Sequence, residues 1–429
     1  MMNRLSGSEW LSSLGIDQPK PGLARMARLK DALFPGRAPF AIIQVGGTNG
    51  KGSTTAMVDQ CLRECGYRVG RYTSPHLQSP CERIQIDGRQ ITHAEFAVLA
   101  QTVHDLVVRE MHEDRPSFFE VLTAMMFMAF WTADLDLVVL EVGLGGRWDA
   151  TTVIPADVNA ITTIGYDHQE LLGETLRQIA SEKVAMVPRH GRLVTTCEEP
   201  EIVNLFRAEG VRVPFQLWHR AQSVRWTKDR QLYQGPYLTF SVDDVALQGA
   251  YQFDNACCSA MALERLIEDG WRVDLSCVVR GFRNTVWSGR FERLDQGGPI
   301  LLDGSHNRSA AESLASEIER GSLAAGAALI IGIKQGKDYR AILNAFGRLP
   351  FALVIVVPLQ TVDSISVATL VDVAQQYWPV VVRALDMGQA LQRAREQITS
   401  SGLIVVTGSL YAVADARRCL GLVPGAETP

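Results

Sequence analysis

The stretch Phe40–Gly66, FAIIQVGGTNGKGSTTAMVDQCLRECG, constrains this chain more than any other. The apolar run Phe40–Val45 predicts a buried strand. Gly46 and Gly47 open a turn, and from Ser53 onward Met57, Val58 and Leu62 recur at helical spacing until Gly66 offers a stop. A strand, a glycine loop and a helix in that order can cradle a polyphosphate. The glycines let backbone N–H groups turn toward the anion, the helix N-terminus adds positive potential, and Lys51 adds a mobile charge. Ser53 is placed to offer its hydroxyl to Mg²⁺. The general pattern puts the hydroxyl residue directly after the lysine; here Gly52 intervenes, giving GTNGKGS. The plain alternative is a glycine-rich turn carrying a solvated lysine.

Further along, Tyr67–Tyr72 reads as a second strand, leading into TSPHLQSPCERIQIDGRQIT. Pro75 and Pro80 forbid a regular helix there and predict a shaped loop, then a hairpin around Asp87-Gly88. Helical periodicity follows over Glu95–Met111 and Ser117–Ala133. Asp136–Val142 is another buried strand with Glu141 at its end, ahead of GLGGRWDA. In doubly wound sheets the carboxyl ends of strands line the ligand crevice, which favours a functional reading of that carboxylate. The strand Val158–Ile164 delivers His168 to the same edge. Thr175 to Gln178 is a capping box for a helix carrying Glu182 and Lys183, and by its own setting Lys183 reads as a surface lysine. Residues 191–250 read as short strands and turns, and Tyr251–Asp269 as a helix.

The 429 residues allow two or three domains. We place the boundary at Asp295–Pro299, DQGGP, as a linker between residues 1–294 and 300–429. Beyond it, apolar runs at 300–302, 328–333, 351–357, 380–384 and 403–407 alternate with helical patterns. That pattern predicts a second, smaller α/β domain with a mainly parallel sheet, opening with LLDGSHN, where Asp303 and His306 stand at a strand end. A net charge of -5 gives no electrostatic reason to expect nucleic acid or an acidic membrane. The start, MMNRLSGSEW, lacks the apolar core of a signal peptide. The longest apolar stretch, Val121–Ala133, is too short to span a bilayer and reads as a buried core helix. The eight cysteines form no paired zinc pattern, so reduced, mostly buried thiols in a cytoplasmic protein are expected.

Taken together, VGGTNGKGS, TSPHL with ERI, FFEVLTA, EVGLGGRWDAT, ITTIGYDH, IASEK, SGRFE, DGSHN and TGSLY resemble the dihydrofolate synthase/folylpolyglutamate synthase family, relatives of the Mur amino-acid ligases. The resemblance runs in family order from residue 40 to about 411. It implies a P-loop, Mur-ligase-like ATPase domain with a central, mainly parallel sheet, plus a smaller Rossmann-like α/β C-terminal domain. The implied reaction is ATP-dependent amide ligation: a carboxylate takes the γ-phosphoryl group, and the amine of L-glutamate attacks the acyl phosphate. The acceptor would be dihydropteroate or a reduced folate, in a monomer with no nucleic-acid or membrane partner. By the resemblance, Asn49, Gly50, Lys51, Gly52 and Ser53 hold ATP phosphates, and Asn255, Arg290 and Asp303 contact the nucleotide. Ser53, Ser74 and Glu141 would serve one Mg²⁺, and His168 a second. Lys183 matches a lysine that is carbamylated in the family and then helps hold magnesium, which reverses its surface reading. Ser117, Phe118, Phe119 and Glu120, with Trp148, Asp149 and Ala150, fall where the family holds the pterin; His306 falls where glutamate or the acyl phosphate is handled. Lys51, Glu141, His168, Lys183 and His306 are thereby the candidate catalytic residues.

The chain departs from the family pattern at Cys81, Trp148, Thr152, Tyr251 and Ser288. Cys81 and Trp148 border the expected acceptor pocket, so a ligase of the same mechanism acting on a non-folate carboxylate is the alternative. A P-loop kinase or ATPase would explain the glycine loop, but not Glu141, His168, Lys183 and the second domain together. A catalytically dead binding protein would be expected to lose Lys51, Glu141 or Lys183.

Overall fold

The apolar runs bounded by glycine become strands of two main sheets, one in each of two compact units. The computed structural model describes residues 6–15, 20–111, 114–219, 225–227, 231–323, 325–360, 362–399 and 402–424. The first unit comprises Met1–His76, Pro80–Ala246 and Phe253–Thr285; the second comprises Leu77–Ser79, Leu247–Gln252 and Val286–Pro429.

In the first unit the strands are β1 (Ala41–Gly46), β2 (Val69–Tyr72), β3 (Ile84–Ile86), β4 (Arg89–Gln90), β5 (Leu137–Glu141), β6 (Val158–Ile161), β7 (Arg192–Thr195) and β8 (Gln216–His219). They lie in the order β4-β3-β2-β5-β1-β6-β7-β8. The β3–β4 hairpin is antiparallel and closes one edge; every pairing from β2 to β8 is parallel. β5 and β6 are buried along their whole length, as a parallel strand covered on both faces must be, and this explains their continuous apolar sequences. The helix Phe118–Thr132 packs its aromatic and methionine side chains into one cluster with Ile42, Val138 and Leu140. It is a core helix, as expected, and among the described residues no helix is long and apolar enough to cross a membrane. A separate sheet of β9 (Arg225–Thr227), β10 (Leu232–Gln234) and β11 (Thr239–Ser241) is antiparallel.

The second unit holds β12 (Glu292–Asp295), β13 (Pro299–Leu302), β14 (Ala328–Ile331), β15 (Leu353–Val356), β16 (Val381–Arg383) and β17 (Ile404–Thr407), in the order β12-β13-β17-β14-β15-β16. All pairings are parallel except β12–β13. Helices Arg308–Arg320, Tyr339–Phe346 and Val367–Ala374 contribute to one apolar cluster, and Met387–Gln397 and Leu410–Cys419 to another. The expected α/β class with mainly parallel sheets is therefore what the chain adopts.

Three expectations are corrected. Asp295–Pro299 is not a linker but a hairpin turn inside the second unit: Asp295 pairs with Pro299, and Gly297 and Gly298 take the positive φ values of 70° and 120° that the turn needs. The 191–250 segment contains a helix, Pro200–Arg212, with proline at its N-terminal end and Ile202, Val203, Leu205 and Phe206 buried. The cysteines are not all reduced thiols: Cys65 and Cys277 form a disulfide with Cα atoms 5.1 Å apart. Cys65 caps the helix Lys51–Glu64, and Cys277 lies in the helix Leu275–Asn284 packed beside it. Gly281 lies so close to that helix that a Cβ there would be 2.4 Å from Cys61 Cα.

Candidate functional site

β1 ends at Gly46 in the centre of its sheet, and the glycine loop passes directly into the helix Lys51–Glu64. Gly47 and Gly50 take φ values of 138° and 85°. A Cβ at Gly47 would lie 2.0 Å from Thr162 Oγ1, and one at Gly50 2.1 Å from Asn255 Oδ1, so both positions require glycine. No side-chain hydrogen bond caps the helix at Gly50, and the N-terminal end of a helix carries positive potential that suits an anion. The loop is strapped to the end of β6: Asn49 N donates to Thr163 Oγ1 (3.0 Å), and Thr162 Oγ1 donates to Asn49 O (2.6 Å). Lys51 Nζ folds back to Gly47 O and Thr48 O at 3.1 and 3.0 Å, and Ser53 is buried. Asn255 lies on the helix Ala250–Glu268, against Gly50.

Lys183 is not on the surface. It is 5% exposed, and its Nζ donates to Gly47 O at 3.0 Å, the same carbonyl that Lys51 uses. Burial first, and the Lys51 charge second, lower its pKa to about 7; Asp167 and Asp149 act in the opposite sense. Glu141, at the end of β5, is also buried, and its Oε2 accepts from Ser74 N at 2.9 Å. His168 has a left-handed backbone (φ 50°) and stands 3.8 Å from Asp167 and 3.9 Å from Glu170. Lys51, Lys183 and the glycine loop thus converge on one carbonyl, while Glu141 meets Ser74. Among the described residues, no group of three or more His, Cys, Asp or Glu could hold a metal by itself. Two serines and one carboxylate suit a Mg²⁺ that keeps waters and substrate phosphates as its other ligands.

Several expected substrate residues are committed elsewhere. Ser117 N donates to Glu120 Oε2 (2.7 Å) and Ser117 Oγ accepts from Glu120 N (3.2 Å), so the pair is the capping box of the helix Phe118–Thr132. Arg25 Nε also donates to Glu120, at 3.1 and 3.2 Å. The pattern S-x-x-E was legible in SFFE; Arg25, 95 residues away, was not. Phe118 lies under the Arg83 guanidinium, and Phe119 packs near Tyr72 and Gly143. Asp149 and Ala150 are buried, whereas Trp148 is 53% exposed. Gly146 lies against Lys183 O, and Arg147 pairs with Glu182, so this loop is held against the helix that carries Lys183.

In the second unit, Asp303 Oδ2 accepts from Phe291 N (2.8 Å) and Tyr251 OH (3.3 Å), while Oδ1 accepts from Ser305 N and Oγ. Arg290 Nη1 lies so close to Gly304 that a Cβ there would be at 2.4 Å. His306 Nδ1 is bonded to Gly304 O at 2.9 Å, and a carbonyl partner requires the hydrogen on Nδ1.

The Mur ligase middle domain family matches residues 45–263, and the C-terminal domain of dihydrofolate synthetase matches residues 290–419. A Mycobacterium tuberculosis protein named dihydrofolate synthase/folylpolyglutamate synthase is 31% identical over 94% of this chain and 91% of its own length. The solved folylpolyglutamate synthase of Mycobacterium tuberculosis complexed with ADP superposes with a TM-score of 0.89 at 30% identity, covering 97% of this chain and 98% of that one. A bifunctional folylpolyglutamate synthase/dihydrofolate synthase solved with Mn, AMPPNP and L-glutamate bound gives 0.84 at 25% identity, with 97% and 98% covered.

Proposed function

The chain belongs to the dihydrofolate synthase/folylpolyglutamate synthase family of Mur ligases, and on that premise we propose that it is an ATP-dependent ligase joining L-glutamate to a pterin carboxylate. The acceptor is dihydropteroate, giving dihydrofolate, or a reduced folate that gains a further glutamate. The observation that carries this reading is the meeting of Lys51 and Lys183 on Gly47 O at the head of an uncapped helix.

The acceptor carboxylate attacks the γ-phosphorus of ATP, forming an acyl phosphate and releasing ADP. The amine of L-glutamate then attacks the acyl carbon, phosphate leaves, and the amine loses a proton. Both reactants of the first step are anions, so positive potential must be concentrated where they meet. The backbone N–H groups at Gly50–Ser53 and the Lys51 ammonium supply it, with Asn255 beside Gly50 on the nucleotide side. A divalent cation, when bound, neutralises developing phosphoryl charge. Ser53, Ser74 and Glu141 are the residues that would hold one, and His168 with Lys183 a second. A Lys183 amine with its pKa lowered to about 7 is available neutral at physiological pH, the form that reacts with CO₂ to give a carbamate and a proton. His306 donates from Nδ1 to Gly304 O, and by the family match we assign it to the glutamate amine. For Arg290 and Asp303 the family match supplies a nucleotide-contacting role, and Asp303 accepts from the Phe291 amide.

The test is phosphate release with ATP, Mg²⁺ and L-glutamate, comparing dihydropteroate, tetrahydrofolate and no acceptor. Release that needs both glutamate and one of the pterins supports the proposal. Release without either would favour an ATPase, and release only with another carboxylic acid would favour the non-folate ligase that Trp148 and Cys81 leave open.

A further inference from the structure

Two polar side chains interrupt the apolar centre of the first sheet, Gln44 in β1 and its register partner Asn159 in β6, and only Gln44 leads into a line of side-chain hydrogen bonds toward the Trp148 loop. Gln44 stands in β1 between Ile43 and Val45 and is 1% exposed. Its Nε2 donates to Thr151 Oγ1 at 2.7 Å, while its Oε1 is buried with no hydrogen-bond partner. An orphaned buried carbonyl opposes folding, so an apolar residue would serve the strand better, and a local rule broken without structural gain points to function. The chain of donors continues. Thr151 Oγ1 donates to Asp149 Oδ1 at 2.5 Å, Thr151 N donates to the same oxygen at 3.0 Å, and Asp149 Oδ2 accepts from Leu144 N at 2.8 Å. Every group in this line is 5% exposed or less apart from the Leu144 amide. The line ends in the loop that carries Trp148, whose other side rests on the helix bearing Lys183 through Gly146 and the Arg147–Glu182 pair.

We propose that Gln44 and Thr151 are positioning residues for the acceptor: they orient the Asp149 carboxylate, and so fix the loop Gly143–Ala150, which carries the exposed indole of Trp148 and rests on the helix bearing Lys183 through Gly146 and Arg147. This rests on reading that loop as the acceptor-facing one. Neither side chain touches the substrate. A hydroxyl at 151 is the required element, because it alone can accept from Gln44 and donate to Asp149 at once. An indole held on a pinned loop is ready to stack on a flat heteroaromatic acceptor with little ordering cost.

The experiment is steady-state kinetics with dihydropteroate at saturating ATP and L-glutamate, on wild type, Thr151→Val, Thr151→Ser and Gln44→Met, each checked by thermal melting. Thr151→Val should raise KM for dihydropteroate about tenfold or more, with kcat within about threefold and KM for ATP within about twofold. Thr151→Ser should stay close to wild type. Gln44→Met should shift the same KM in the same direction, and the double variant Gln44→Met/Thr151→Val should add little to Thr151→Val alone. The proposal is overturned if Thr151→Val leaves that KM within twofold, if KM for ATP rises equally, or if serine fails to rescue. Should Thr151→Val not fold, Gln44→Met decides by the same criteria. A wild type inactive with every pterin would instead remove the ligase reading itself, so the two failures are distinct.

Discussion

Lys183 illustrates how far a residue's surroundings can reverse the reading of its neighbours in sequence. On its helix it looks like a solvated lysine, but in the fold it is buried beside Lys51 and its pKa falls from 10.5 to about 7. Because the folded state binds this proton less tightly than the unfolded chain, the group works against folding below pH 7. That handicap lifts as pH rises from about 7 to 10.5. Its size is on the order of 5 kcal/mol, offset by about 1 kcal/mol for the bond to Gly47 O. Lys183→Met should therefore be nearly inactive yet melt higher than wild type, by more at pH 6 than at pH 9, in CO₂-free buffer. A melting difference that does not change with pH would remove the argument. Lys51→Ala should lower kcat/KM by on the order of 3 kcal/mol or more while the melting temperature moves little. An alanine variant turning over normally would reject the phosphate-loop assignment.

At the scale of elements, what was legible was whatever has a local cause. Parallel strands buried on both faces must be continuous apolar runs, so β1, β5, β6, β14 and β15 could be read directly, and Ser-x-x-Glu or Thr-x-x-Gln marks a helix start wherever it occurs. The helix Pro200–Arg212 escaped because Ile202, Val203, Val211 and Gly210 imitate a strand and turn. The site was legible as strand ends, but the convergence of Lys51 and Lys183 on Gly47 O spans 136 residues and has no local signature. The disulfide is of the same kind, its cysteines standing 212 positions apart in sequence. It joins the far end of the helix Lys51–Glu64 to Leu275–Asn284. Such a bond stabilises chiefly by constraining the unfolded chain, typically by about 2–4 kcal/mol. We expect six of the eight cysteines to alkylate in denatured protein prepared without reductant, and all eight after a dithiol. Cys65→Ser should lower the melting temperature and abolish its response to reductant. Eight reactive thiols before reduction would show that the bond does not form in solution, as a reducing cytosol would require.

For the whole molecule, the question is which segments the second unit needs. A cut at residue 300, where the sequence alone puts the domain, falls inside β13, after its first residue, and splits the β12–β13 hairpin. It removes Glu292, the ion-pair partner of Arg417, whose side chain is 1% exposed. It also removes β12 and leaves β13 as a raw edge. A buried guanidinium stripped of its carboxylate costs about 3–5 kcal/mol, a large part of the stability of a domain this size. A fragment 286–429 keeps both, and of the second unit it lacks two short upstream segments, Leu77–Ser79 and Leu247–Gln252. Gln78 accepts from Arg417 Nε and donates to Leu422 O, at 3.3 and 2.9 Å. Ala250 N donates to Glu317, and Tyr251 OH to Asp303, at 3.0 and 3.3 Å. These bonds leave no comparable buried charge behind when lost. Fragment 300–429 should therefore lack dispersed amide resonances and a cooperative melt. Fragment 286–429 should show both, and melt lower than the same unit in the full chain. If 300–429 melts cooperatively at the temperature of 286–429, neither the Glu292–Arg417 pair nor β12 holds the unit together, and residue 300 is the better boundary.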